Sequence, residues 1–349
     1  MTKSDTRQLK GLAILMMLWL HLFSYPDTVR QCSYWLSYIN GQPLAYALTR
    51  LASSCVPIYI FLGGYGLAAT YRTSQGHRLH GGRRALALMT NFWLICLIFI
   101  PIGCMVNPEV YPGSWKTLLL NVTALAYKYN GAWWFLLPYV LLTLTAHYLI
   151  SHYEQNSRQQ DMVTVAVLAV VYVGVYLLKS VLPLSGTWPL PGVLPLLNYL
   201  SMLLLFTLGI LAVKYRLLER ERIIAKTASR KWVAPSLLLI LCLLKMLLGS
   251  SSLLNVPFVL LLIPLLLSLR WPQWLLKALE FLGLHSTNMW LIHYFFYYMF
   301  GHLIYGLRYP LLIYVVLVAV SLACSMLVRP VFEPLRKKIR ETPSSLINL

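Results

Sequence analysis

The chain has 349 residues, of which 59% are hydrophobic and only 11% are charged. A soluble domain carries about 25% charged residues, so a water-soluble globule is excluded. The net charge of +19 does not point to nucleic acid either, because the cations fall between apolar segments and not along one stripe. The expected partner is the lipid bilayer. The expected fold class is all-α: a polytopic integral membrane protein with about ten transmembrane helices around a polar central cavity.

Apolar runs long enough to cross a bilayer fall at 9–25, 44–70, 85–105, 132–150, 162–182, 194–213, 232–248, 253–269, 286–305 and 310–328. The second is over-long and is expected to tilt or break at Pro57 and Gly63-Gly64. Residues 1–335 read as one ten-span membrane domain and 336–349 as a short cytoplasmic tail. With the N-terminus in the cytoplasm, 22 of the 29 basic residues fall on the cytoplasmic side. Only Arg30, Lys116, Lys128 and Arg308 then face outward, with Arg50, Lys179 and Lys245 inside spans. Both termini are therefore expected inside. No small-x-small cleavage site follows the first apolar run, so it reads as an uncleaved first helix.

The first span carries Lys10 and His21. Eleven helical steps return to within about 20° of the start, so both side chains share a face, roughly 16 Å apart along the axis. A histidine at mid-membrane under a cation at the membrane edge is costly, and marks a functional site. Its imidazole can take a proton from a hydroxyl and later return it; the bland alternative is a helix-packing histidine. All ten acidic residues lie in loops or at span ends, so no buried Ser-His-Asp relay is available. The partner that orients His21 is expected to be a hydroxyl, amide, backbone carbonyl or water. The same absence weakens a proton-coupled transporter.

Arg50, inside the second span, either snorkels or contacts a substrate. The basic, Gly-rich loop 71–84 carries Arg78, Arg83 and Arg84, suited to phosphates or simply to topology. His77 and His80 lack the acid or cysteines of a zinc site, so no metal is expected. No phosphate-binding Gly-rich motif is present. Segment 106–131 is the longest outer loop, with a short interfacial helix expected within 115–127. Trp133 and Trp134 belong to its aromatic cluster, which reads either as an interfacial belt or as a platform for sugar rings. In the ninth span, Gly283 is expected to make a turn and Ser286 to cap the helix. His293 then lies roughly 10 Å into the bilayer, with Asn288 near Ser286.

With these residues in hand, the chain resembles the acyltransferase-3 family of bacterial membrane acyltransferases. Lys10 and His21 are similar to its Arg/Lys-x10-His motif. Val56-Pro-Ile-Tyr-Ile-Phe-Leu-Gly-Gly-Tyr-Gly66 is similar to its Phe-rich second span, with Gly63 where serine is usual. Asn130-Gly-Ala-Trp-Trp-Phe-Leu136 resembles its Trp-Phe/Tyr-Leu segment, and Leu282 to His293 its late Gly-x-x-Ser-x-x-x-Trp/Tyr-Leu-x-His segment. Where the family often shows Arg-x-x-Arg, Arg83 and Arg84 are adjacent. The resemblance implies transfer of an acyl group, commonly acetyl, from cytoplasmic acyl-coenzyme A to a hydroxyl of a cell-envelope carbohydrate, in the bacterial inner membrane. His21 and His293 would be catalytic and His21 the general base. Lys10, Arg78, Arg83 and Arg84 would bind the donor, and Arg50, Trp133, Trp134, Ser286 and Asn288 the acceptor. The rival expectation is a glycan or lipid-linked-sugar flippase without chemistry.

Overall fold

The computed structural model describes residues 1–25, 29, 38–39, 42–74, 79–182, 192–219, 232–249 and 251–341. Among them the chain is helical apart from one antiparallel ribbon, β1 (Tyr38–Ile39) with β2 (Gln42–Pro43), in which Tyr38 faces Pro43. Six stretches are long and apolar enough to cross a membrane: Leu44–Thr73, Gly81–Val106, Gly131–Gln155, Arg158–Val181, Val193–Lys214 and Pro310–Ile339. Two shorter apolar helices, Val233–Leu248 and Ser252–Ser268, accompany them. This is a multi-pass membrane protein.

The residues form two compact units, Met1–Leu62 with Tyr215–Cys324, and Gly63–Lys214 with Ser325–Leu349. The first is organised by α1 (Lys3–Phe23). Thr2 caps it, accepting from the Asp5 backbone N–H while the Asp5 carboxylate accepts from that of Thr2. Next come α2 (Leu44–Ala52) and α3 (Cys55–Thr73). The break expected at Pro57 and Gly63-Gly64 falls instead at Ser53-Ser54. Pro57 sits in the first turn of α3, where its missing N–H costs nothing, and the helix runs on through both glycines. Trp19 donates to the Ala45 carbonyl (2.9 Å) and Tyr59 to that of Lys10 (3.1 Å), tying α2 and α3 to α1.

The second unit holds α4 (Gly81–Val106), α5 (Trp115–Val122), α6 (Leu136–Gln155), α7 (Arg158–Val181) and α8 (Val193–Lys214). The short helix expected within 115–127 is α5, capped by Ser114, which accepts from the Thr117 N–H. Asn121 fastens the loop beyond it, accepting from the Tyr129 backbone N–H. Tyr111 donates to the Tyr129 carbonyl, so this segment has its own buried polar core.

The first unit continues with α9 (Val233–Leu248), α10 (Asn255–Ser268), α11 (Gln273–Met299) and α12 (Gly301–Tyr305). Helix α13 (Pro310–Glu341) starts in this unit, where Tyr314 donates to the Leu15 carbonyl (3.0 Å). Helix α11 corrects the expectation of a turn at Gly283 and a cap at Ser286. It begins at Gln273, behind Pro272, and passes through both positions unbroken.

Candidate functional site

Helices α1 and α11 run parallel in close contact. At one end the Glu280 carboxylate accepts from Ser4 Oγ (2.6 Å) and Arg7 Nη1 (3.1 Å); seventeen residues beyond Ser4, His21 meets His293. Small residues allow the approach. A Cβ added to Gly11 would stand 2.0 Å from the Leu279 carbonyl oxygen, and one on Gly283 would stand 2.0 Å from that of Arg7. Glycine at 283 is therefore a packing residue.

The two imidazoles have ring centres 4.9 Å apart, with His293 Nε2 3.3 Å from His21 Nδ1. His293 is fully buried, and its Nδ1 lies 3.0 Å from the Met289 carbonyl oxygen and 2.9 Å from that of Trp290. Both neighbours are acceptors only, so Nδ1 carries the proton and Nε2 the lone pair. His21 Nδ1–H then donates to His293 Nε2, with the Tyr297 hydroxyl oxygen at 3.5 Å as a second acceptor. The remaining nitrogen, His21 Nε2, carries a lone pair. It makes no hydrogen bond among the described residues. The arrangement is a half-buried imidazole held in a fixed orientation and able to accept a proton. Its nearest partner is an imidazole set by helix carbonyls, a group not among those expected for His21, with the Tyr297 hydroxyl, of the expected kind, slightly farther away.

Two residues passed over in the sequence complete the surroundings. Tyr297 is four residues beyond His293, hence on the same face, and Tyr294 stands edge-on to His21 with ring centres 6.1 Å apart. The i, i+4 spacing of Tyr297 from His293 was the available signal. Tyr305 donates to the Leu22 carbonyl (3.0 Å), fixing the last turn of α1.

The other expected residues are placed as follows. Lys10 is half-buried on α1. Ser286 and Asn288 are buried in α11, and Ser286 Oγ donates to the Gly283 carbonyl (2.9 Å). Arg50 is half-buried and donates to the Met246 carbonyl (2.8 Å). Those four share a unit with the histidines. Arg83 and Arg84 stand in the first turn of α4, in the other unit, Arg83 half-buried and Arg84 exposed. Trp133 and Trp134 lie there too, in a 3-10 turn over Gly131–Phe135 opened by Asn130. Trp133 is only 1% exposed, edge-on to Phe92 with ring centres 4.7 Å apart, while Trp134 is half-buried. Arg78 lies outside the described residues, as does His77. Among the described residues no three His, Cys, Asp or Glu side chains cluster to hold a metal.

A family model described as an acyltransferase domain, acyltransferase-3, matches residues 7–329. No curated relative and no solved structure matches the chain. The matched span contains both histidines and nearly all of both units, and the chain belongs to the acyltransferase-3 family of membrane acyltransferases.

Proposed function

We propose that this acyltransferase moves an acyl group, acetyl in the simplest case, from cytoplasmic acyl-coenzyme A to a hydroxyl of a cell-envelope carbohydrate, with His21 as general base. The observation that supports this reading is the pairing of His21 with His293, whose Nε2 lies 3.3 Å from His21 Nδ1 while helix carbonyls hold its Nδ1. In the reaction, His21 Nε2 takes the proton of the acceptor hydroxyl as its oxygen attacks the thioester carbonyl. The C–S bond breaks, and the proton passes to the departing thiolate. The Nδ1–H···Nε2 bond to His293 steadies the imidazolium that forms between these steps, because His293 offers it a lone pair. His293 acts as a positioning residue.

The family model supports transfer of an acyl group; the donor follows from charge chemistry. Coenzyme A carries phosphates. The basic groups at the ends of spans assigned to the cytoplasm by the charge asymmetry, Lys10, Arg78, Arg83 and Arg84, suit such anions. Lys10 stands about three turns from His21, a distance suited to phosphates bound at the membrane edge and a thioester at the base. Ser286 and Asn288 on α11 and Arg50 on α2 would line a polar cavity reaching His21. Trp134, the more open tryptophan, is the better sugar contact. The eight apolar stretches and the polar helices α1 and α11 together give ten spans, with both termini cytoplasmic, in a bacterial inner membrane.

Thiol release from acetyl-coenzyme A, measured on the purified full-length protein in detergent with and without an envelope glycan, tests the reading. Release that depends on glycan and vanishes in His21→Ala is expected. Undiminished transfer by His21→Ala overturns the assignment of the base, and glycan movement without thiol release overturns the chemistry.

A further inference from the structure

Lys245 lies inside the last turn of α9 and is 3% exposed. Its ammonium makes one long bond, 3.4 Å, to the Gly249 carbonyl, and stands 6.0 Å from the Phe258 ring centre in the first turn of α10. Arg50, from α2, reaches the same end of α9 and donates to the Met246 carbonyl at 2.8 Å. Just beyond α2, buried Ser54 donates to Asn255 Oδ1 (3.1 Å), and Asn255 is the first residue of α10. The start of α10 is continuous with a 3-10 turn over Ser252–Leu254, and the Asn255 N–H donates to the Ser252 carbonyl.

One cation at a helix C-terminus is ordinary capping. Two are not explained that way. Neither Lys245 nor Arg50 has an ion-pair partner among the described residues. Burial strips the ammonium of water, and its single long hydrogen bond replaces little of that hydration. The charge asymmetry puts this end of α2 and α9 on the outer face, where basic residues are otherwise sparse.

We propose that Lys245 and Arg50 form an anion site for a phosphoryl group approaching from the outer leaflet. The ammonium supplies a point charge and the guanidinium a planar fork of donors. Such a group is carried by a phosphorylated polyprenyl lipid or by a phospholipid headgroup, and the site recognises the chemistry they share. This goes beyond the acyl-transfer reading, and its test needs no transfer activity.

The experiment follows thermal unfolding of the full-length protein in neutral detergent against three probes: a polyprenyl monophosphate, the uncharged polyprenol and phosphatidylglycerol. The monophosphate should raise the Tm of the unsubstituted protein by several degrees, and polyprenol should not. Lys245→Met should weaken the apparent affinity for the monophosphate at least tenfold while leaving the ligand-free Tm equal or higher. Arg50→Gln, at a less buried position, should weaken it in the same direction and stands in if Lys245→Met does not fold. A matching rise with phosphatidylglycerol assigns the site to headgroups; no rise with it assigns the site to the polyprenyl carrier. A mere helix cap would give a lower ligand-free Tm in Lys245→Met with the monophosphate response intact. That result, or equal responses to polyprenol and its phosphate, overturns the proposal.

Discussion

Gly11 and Gly283 lie where α1 and α11 touch, each so close to the other helix that a Cβ would stand 2.0 Å from a carbonyl oxygen, that of Leu279 or Arg7. No side chain can move aside there, since the obstacle is backbone. Either alanine substitution must push the helices apart, and overpacking of this kind costs about 1–3 kcal/mol. The same displacement would lengthen the 3.3 Å bond between His21 and His293. Gly283→Ala and Gly11→Ala should therefore lower both Tm and turnover. Gly66→Ala, with nothing within 4 Å of the added Cβ, should leave both intact or slightly improved. Full activity in Gly283→Ala would show that the spacing of these helices does not control the site.

The two histidines should separate kinetically. His21→Ala removes the proton acceptor, and general base catalysis contributes about 10²–10⁴-fold. His293→Ala keeps the base but frees its tautomer, leaving the Tyr297 oxygen at 3.5 Å as the remaining acceptor for Nδ1–H. Turnover should fall by about 10-fold or more while KM for the acyl donor stays nearly unchanged, because the lost interaction belongs to the charged state formed during reaction. A change confined to KM would instead place His293 in substrate binding. Initial rates across donor concentration in matched preparations decide between the two.

The lone polar residues in apolar runs made His21 and His293 legible from sequence, because a bilayer makes each such residue expensive. Their pairing was not legible. It depends on the parallel crossing of α1 and α11, which rests on two glycines far apart in the chain, and Gly283 read in isolation as a helix stop. Ser286 was misread for the same reason: behind a supposed turn it looked like a cap, whereas in a continuous helix its hydroxyl bonds back to the Gly283 carbonyl. Lys245 was read only as a charge inside a span, since its burial depends on α10, which local pattern does not place. Arg78, Arg83 and Arg84, by contrast, are singled out by charge alone, and charge alone does not fix where they act.

Glu280 gives the contact of α1 with α11 a pH dependence. Its carboxylate is held below the usual carboxylate range, first by the hydrogen bond from Ser4 and then by that from Arg7. A depressed folded-state pKa contributes stability that is present above the unfolded value and is lost as pH falls through the folded one. Tm should therefore be higher in the unsubstituted protein than in Glu280→Gln at pH 7, and the two should converge as pH falls below the ordinary carboxylate range. Parallel Tm–pH curves for the two proteins would remove Glu280 from the clamp.

The cytoplasm-assigned ends of α6, α7 and α8 meet at Lys214, whose ammonium donates to the Asp161 carboxylate and to the carbonyls of Tyr153 (2.6 Å) and Asn156 (2.8 Å). Asp161 is 2% exposed. Nearby, Arg72 of α3 makes a two-bond fork with Glu154 at 2.8 and 3.0 Å, an exposed pair of lesser weight. Removing one partner of a buried pair strands the other, at a cost of about 3–5 kcal/mol. Asp161→Ala should therefore lower Tm far more than Glu154→Ala. Lys214→Met removes the charge and also leaves the Asp161 carboxylate stranded, so it should be at least as damaging. Turnover per folded molecule should be unchanged in Glu154→Ala. Equal thermal losses for Asp161→Ala and Glu154→Ala would mean that water reaches the Lys214 pair and that its burial does not govern its strength.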